Sequence, residues 1–485
     1  MTNKTDAAIK AFRSAVDAIV LAPGDTYFAE ARRRAVWNGA IDKQPALIVQ
    51  PTTDAQVASA LTNARHLGFD VTVRGGGHGF AGNAVADGAV MIDLSGLASV
   101  QVDVAAKRAR AGAGAKWEDL DAATAPYNLA VTGGFISHTG VAGLTLGGGM
   151  GWLTRRAGLS CDNVISFRMV TADGRIVTAS ANDNPDLYWA LRGGGGNFGV
   201  VTEIEYQLHD LNATANVGLF FWPVKEARKP LQFARDYVQQ LPRDLAGFIG
   251  GISAPPAPFV PVDLQGTPGF AVIIVNWGTP ESHATAIAPL RALNPAFELV
   301  TPMPYTALQQ MFNDSSQWGT LAYEKALYFD QLTDAVIDTA ITFLPRKAAP
   351  HSFIPIFPLG GAFADVSDDE TAFGGSRASR WCFNIAALAD TPELFAADRV
   401  WARAFWDALL PNASSAATYI NFLADEDEDR VKTSYGPEKY ARLAAIKGTW
   451  DPENVFHHNA NIKPAGVPAQ RTLHLDKPSP ATVRT

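Results

Sequence analysis

Glycine in this chain is clustered. Many of its 42 glycines fall within residues 75–82 (GGGHGFAG), 140–151 (GVAGLTLGGGMG) and 193–199 (GGGGNFG). Glycine reaches backbone conformations closed to other residues and lets a chain pass close to a flat group, at an entropic cost. Residues 132–164 (TGGFISHTGVAGLTLGGGMGWLTRRAGLSCDNV) are too glycine-rich for a stable helix and too apolar for a flexible linker. Such a segment packs tightly around something large. One cluster alone reads as an ordinary turn, but one extended ligand lying across several loops accounts for all three.

The rest of the chain bounds what that ligand serves. At 485 residues, 47% hydrophobic and 18% charged, the composition is that of a soluble globular protein of two to three domains. A net charge of −8 argues against a nucleic-acid or anionic-membrane surface. The first residues (MTNKTDAAIKAFRSAV) read as an amphipathic helix, and no apolar run is long enough to span a bilayer. Two cysteines, Cys161 and Cys382, imply no disulfide framework. The expected location is the cytoplasm, with no nucleic-acid or membrane partner and no metal.

Along the chain, residues 1–40 read as helical with a turn at 22–25. Residues 45–50 (PALIVQ) are a strand candidate. Thr53 and Asp54 suit the start of a helix in which Val57, Leu61 and Ala64 recur at helical spacing. Residues 70–73 and 88–94 read as strands, giving β-α-β with the first glycine loop between strands. Residues 166–171 and 175–179 flank Ala172-Asp173-Gly174, a hairpin signal. A turn at 182–186 leads into residues 187–192, and residues 200–208 alternate as a strand. Near residue 210 the texture changes to longer helix–strand alternation with more proline. It changes back near residue 416, with an acidic turn at 425–429 and a proline-rich tail after Pro464. Three units follow: 1–210, 211–415 and 416–485.

The first cluster follows a strand, and a run of glycine amides suits an anion such as phosphate. It does not fit the dinucleotide fingerprint G-x-G-x-x-G, because a strand and not a helix follows soon after. Its single imidazole, His78, stands where the backbone would come closest to a ligand.

Four stretches together carry a resemblance. They are V-R-G-G-G-H at 73–78, residues 139–163, L-R-G-G-G-G-N-F-G at 191–199 and WDPENVFHHNANI at 450–462. The chain resembles the berberine-bridge-enzyme-like branch of FAD-linked oxidases, within the vanillyl-alcohol-oxidase (PCMH-type) flavoprotein superfamily, in its bacterial branch. The resemblance implies an α+β fold: a PCMH-type FAD-binding domain of two α/β subdomains, with a substrate domain whose antiparallel sheet is covered by helices. It assigns 1–210 to the FAD-binding domain (core about 42–210), 211–415 to the substrate domain and 416–485 to a segment returning to the FAD domain.

The resemblance also implies roles for residues. His78 matches the histidine that the family bonds through a ring nitrogen to the flavin 8α-methyl carbon. Neutral imidazole is a competent nucleophile near pH 7. Relatives with a second, cysteinyl link carry it where this chain has Ile136, and Cys161 lies well downstream, so a single covalent link is expected. Arg74, Gly75, Gly76, Gly77, Gly79 and Gly82 would cradle the pyrophosphate. Ser137, His138, Thr139, Gly140, Val141 and Gly143 would line the ring and pyrophosphate, with Gly148, Gly149, Gly151 and Trp152 behind them. Asn197, Gly199 and Val201 would lie near the adenine or ribose. Tyr419, Asn421, Asn459 and Asn461 would approach the isoalloxazine. Thr139, small and just before Gly140, favours access of O2, and His138 is either a second base or a packing residue.

The family often places a catalytic glutamate on a substrate-domain strand, matched here by HSFIPIFPLGG at 351–361, where Pro355 takes its position. The base would then come from Tyr323, Lys325, Tyr328, His351 or Asn384. The aromatic density at Phe353, Phe357, Tyr328, Trp381 and Phe383 suits an apolar substrate or a core. The expected activity is an FAD-dependent oxidase taking hydride from a C–H next to N or O of a small, largely apolar molecule, with O2 reduced to H2O2. The alternatives are a flavin-dependent oxygenase or oxidative cyclase, and a catalytically weak flavin-binding protein. The expected assembly is a monomer or homodimer.

Overall fold

The computed structural model describes residues 2–424 and 428–466. Most of the proline-rich tail, and residues 425–427 of the expected acidic turn, lie outside the described residues. Strands β1 (Ile19–Leu21), β2 (Leu47–Gln50), β3 (Val71–Arg74) and β4 (Val90–Asp93) form a sheet ordered β1-β2-β4-β3. β2, β4 and β3 run parallel, and the helix Asp54–His66 crosses between β2 and β3. That helix forms where the spacing predicts. The Thr53 side chain caps it by accepting the Gln56 N–H, and Val57, Ala60, Leu61 and Ala64 form its buried face.

A second sheet is antiparallel and ordered β5-β6-β10-β8-β9. Its strands are β5 (Val100–Asp103), β6 (Arg108–Gly112), β8 (Val164–Val170), β9 (Ile176–Ser180) and β10 (Val200–Gln207), while β7 (Leu129–Ala130) pairs with β11 (His209–Asp210). β8 and β9 form the expected hairpin, with Gly174 at φ +84° in its turn.

The third sheet is a seven-stranded antiparallel layer ordered β15-β12-β14-β13-β17-β18-β16. Its strands are β12 (Thr214–Pro223), β13 (Leu245–Ser253), β14 (Pro268–Asn276), β15 (Phe297–Pro304), β16 (Leu321–Phe329), β17 (Ile354–Pro358) and β18 (Trp381–Ala389). Side chains alternate across each strand. On one face Tyr323, Leu327, Ile354, Ile356, Phe383 and Ile385 join a core with the helices Arg228–Gln240, Asp334–Phe343 and Pro392–Leu409. The opposite face carries Phe248, Ala326, Tyr328, Phe357 and Cys382, which pack with Met150, Trp152 and Tyr419.

Two local expectations are corrected. Residues 1–40 contain β1 between the helices Thr2–Ala15 and Phe28–Arg33, because Ile19–Leu21 pairs antiparallel with β2. The glycine-rich stretch 132–164 does contain helices, Val141–Leu146 and Thr154–Ala157, each under two turns and buried on tertiary contacts.

Candidate functional site

The loop after β3 turns back on itself at Gly77, where φ is +69° and an added Cβ would lie 2.4 Å from the Ala35 carbonyl oxygen. Glycine is required there on both counts. The Trp37 N–H donates to the Gly77 carbonyl at 2.8 Å, and the Trp37 ring stacks on the His78 imidazole with centroids 4.7 Å apart. His78 Nε2 lies 3.0 Å from His138 Nδ1. Burial first, and His138 second, push the His78 pKa down to about 3, so the ring is neutral at pH 7. Burial also lowers the pKa of His138.

His78 lines a cavity of about 370 Å3, within the range of ligand sites. Segments from both ends of the chain meet there. The first glycine loop contributes Gly75, Gly76, Gly77 and Gly79, and the second contributes Thr139, Gly140 and Gly143. Asn197, Gly199 and Val201 come from the third, and Tyr419, Asn421 and Asn459 from the C-terminal segment. The seven-stranded sheet closes it with Phe248, Glu324, Phe353, Pro355, Phe357 and Asn384.

The other sequence candidates stand around this cavity without lining it. The Arg74 guanidinium is spent on the Asp93 carboxylate at 2.7 Å and the Ala35 carbonyl, not on the cavity. Gly82 packs against Ile41. The Ser137 hydroxyl meets Glu118 and Asn313. Val141 is buried at the start of its short helix, and an added Cβ on Gly148, Gly149 or Gly151 would strike Phe373, Ser160 or the Gly133 carbonyl. Trp152 sits among Phe135, Phe248 and Phe312. The Asn461 Oδ1 is buried and unpartnered.

Among the base candidates only Asn384 lines the cavity, as does Thr139, the residue expected to admit O2. Tyr323 and Lys325 face the helices, where the Tyr323 hydroxyl accepts from Arg403 Nε at 3.1 Å and Lys325 Nζ lies 4.5 Å from the Trp406 ring. Tyr328 packs edge-on to Phe373, and His351 is exposed, 3.6 Å from Asp390. Cys161 is buried away from the cavity, while Ile136 lines it.

Glu324 is the functional candidate the sequence reading missed. It is 6% exposed, its Oε2 has no hydrogen-bond partner, and burial pushes its pKa up to about 8 against a bond from Asn384. Its signal was strand parity: once Tyr323 and Lys325 face the helices, Glu324 faces the cavity. Asp70 and His457 also meet His458, which lines the cavity, with one ligand-type atom each within 4.8 Å of one another. No helix among the described residues is long and apolar enough to cross a membrane.

An FAD-sized group fits this lining. A Cβ on Gly79, Gly143 or Gly196 would meet nothing within 4 Å, so bare backbone faces open space there. Asn459 Oδ1, on a lining residue, is buried without a partner. Polar atoms left so are costly unless a ligand meets them.

Residues 45–180 match the family described as "FAD binding domain", and residues 418–463 the one described as "Berberine and berberine like". The (R)-6-hydroxynicotine oxidase of Paenarthrobacter nicotinovorans is 30% identical over 89% of this chain and 94% of its own length. The solved 6-hydroxy-D-nicotine oxidase of Arthrobacter nicotinovorans superposes with a TM-score of 0.80 at 26% identity, covering 92% of this chain and 98% of that one. BBE-like 1 of Physcomitrella patens, at 24% identity and a TM-score of 0.83 over 94% of this chain and 99% of that one, shares the fold. With the glycine loops, the C-terminal segment and the covering sheet all in place around one cavity, the chain belongs to the berberine-bridge-enzyme-like FAD-linked oxidoreductases.

Proposed function

We propose that this protein is an oxidase of small, largely apolar molecules, carrying FAD on a single covalent link through His78. The observation that carries the reading is one cavity with bare glycine backbone on one side and a phenylalanine-rich wall of the sheet on the other, with His78 between. Bound there, FAD supplies a two-electron acceptor for hydride from a substrate C–H and a route for those electrons to O2, giving H2O2. Trp37 and His138 fix the plane of the His78 ring. Its neutral state leaves a nitrogen lone pair for the link. The backbone at Gly75–Gly79 and Gly140–Gly143 holds the pyrophosphate, and Asn197, Tyr419, Asn421 and Asn459 hold the two ends of the cofactor. Thr139 leaves room for O2 beside Gly140. Phe248, Phe353 and Phe357 exclude water and orient the substrate.

The test is a denaturing gel of the purified protein read for flavin fluorescence, with mass mapping of the fluorescent peptide, followed by a screen of amines and alcohols for peroxide release. Flavin on the peptide containing His78, with stoichiometric peroxide, supports the reading. Flavin that washes away removes the link, and oxygen incorporated into product in place of peroxide makes the protein an oxygenase.

A further inference from the structure

The cavity holds one carboxyl group that the reading above leaves without work. Phe353, just before β17, bridges to Ala386 of β18, and Ala386 faces Glu324 of β16, so Glu324 lies two strands across from Phe353. Asn384 sits diagonally beside it, opposite Ala326. A hydrogen bond from Asn384 reaches the carboxyl group, yet Glu324 Oε2 and Asn384 Oδ1 are both buried and unpartnered. Among the described residues no lysine or arginine pairs with Glu324. Lys325, next in sequence, is turned to the Trp406 ring on the other face.

A buried acidic group without a cation is costly, and so is each unpartnered acceptor beside it. The group that relieves all three is a cation bearing N–H donors. The rings of Phe248, Phe312, Phe353 and Phe357 line the same space and attract a cation through their faces. Burial favours the protonated carboxyl in the empty site, so a bound ammonium ion would drive the Glu324 proton out, whereas a neutral alcohol would not.

We propose that this site takes an amine as its ammonium ion, with Glu324 as the anchor and proton acceptor and Asn384 as the residue that positions the Glu324 carboxyl. The inference rests on the oxidase reading and names its substrate class. Glu324 Oε2 accepts an N–H proton: the N–H bond breaks, an O–H bond forms and the electron pair stays on nitrogen. That pair would then form the second bond of a C=N as the neighbouring C–H leaves as hydride, for which bound FAD would supply the two-electron acceptor. The iminium product keeps the positive charge, and water hydrolyses it outside the site.

The test is calorimetric binding of N-methylbenzylamine and its neutral isostere benzyl methyl ether to the anaerobic holoenzyme at pH 7, in two buffers of different ionisation enthalpy. The amine is expected to bind at least about tenfold tighter than the ether and to release a proton to the buffer. Glu324→Gln is expected to abolish both the preference and the proton release, with ether affinity and flavin content unchanged. Glu324→Asp keeps the charge and is expected to retain the preference. An amine that binds no tighter than the ether, including no binding of either, overturns the inference, as does a Glu324→Gln variant that weakens both probes equally. Peroxide release from an amine or alcohol that Glu324→Gln leaves untouched removes Glu324 while the oxidase reading stands. A purified protein without flavin removes that reading itself.

Discussion

His78 was legible in the sequence because a lone imidazole among glycines has few reasons to be there. Its surroundings were not, since Trp37 and His138 lie 41 and 60 positions away and only the fold brings them onto its ring. Replacement by alanine is expected to leave any flavin extractable by acid, whereas Cys161→Ser retains it, read as flavin absorbance in the precipitated protein. A second residue tests the electrostatics outside the cavity. Asp121 is buried on the helix Trp117–Thr124, where Gln309 donates to Oδ2 at 3.0 Å and Oδ1 has no partner. Burial raises its pKa from 3.8 to about 7. The folded chain therefore keeps a proton that the unfolded chain gives up above pH 4, and stability falls as pH rises from about 4 to about 7. Asp121→Asn keeps the bond from Gln309 and removes this loss. Its gain over the natural protein in urea unfolding is expected to grow across that window, to at most about 4 kcal/mol. A gain that is flat with pH would falsify the assignment.

At the scale of elements, the glycine clusters divide into two kinds that the sequence does not distinguish. Some face the cavity, as Gly79 and Gly143 do with open space where a Cβ would stand. Others exist because loops cross. A Cβ on Gly140 would lie 2.4 Å from the Gly76 backbone nitrogen, so the first and second clusters touch backbone to backbone there. One ligand thus accounts for part of the glycine content, and loop crossing for the rest. Gly143→Ala is expected to fold with unchanged stability and to lose flavin, because its Cβ enters only the cofactor's space. Gly140→Ala, at an ordinary φ of −70°, is expected to lose about 1–3 kcal/mol from overpacking as well as flavin. Thermal unfolding of flavin-free protein beside flavin content checks the contrast. The strands were less legible than the loops. LAYEKALYF at Leu321–Phe329 is buried on both faces, so no hydrophobic alternation shows which residues point where. Attention falls on Tyr323 and Lys325, which face helices, and passes over Glu324 between them.

For the whole molecule, the cavity belongs to no single stretch of chain, and its integrity depends on how distant segments are tied together. Asn38 joins the first sheets to the third by donating to the Ala322 carbonyl and accepting its N–H, both at 2.9 Å. The return of the chain after residue 416 is fixed by a more demanding device. Lys447 and Asp451 are fully buried and 2.8 Å apart, and Lys447 Nζ also donates to the carbonyls of Asn197 and Phe456. Asp451 accepts the N–H groups of Val455 and Phe456, while the Asn197 side chain donates to Ala460 and accepts from Ile462. The network therefore couples the third glycine cluster to the segment that carries Asn459 into the cavity. The change in texture near residue 416 marks that return in sequence, but the partners of Lys447 are set by topology. Removing one member of a buried ion pair strands the other, at about 3–5 kcal/mol. Lys447→Met is expected to lower stability by that amount and to release flavin well below the unfolding midpoint, because the C-terminal wall detaches before the core melts. Flavin fluorescence and far-UV circular dichroism followed through one urea titration separate the two events. Coincident transitions would mean that the segment and the core unfold as one unit, and that this buried pair stabilises the fold without specifically holding the cavity closed.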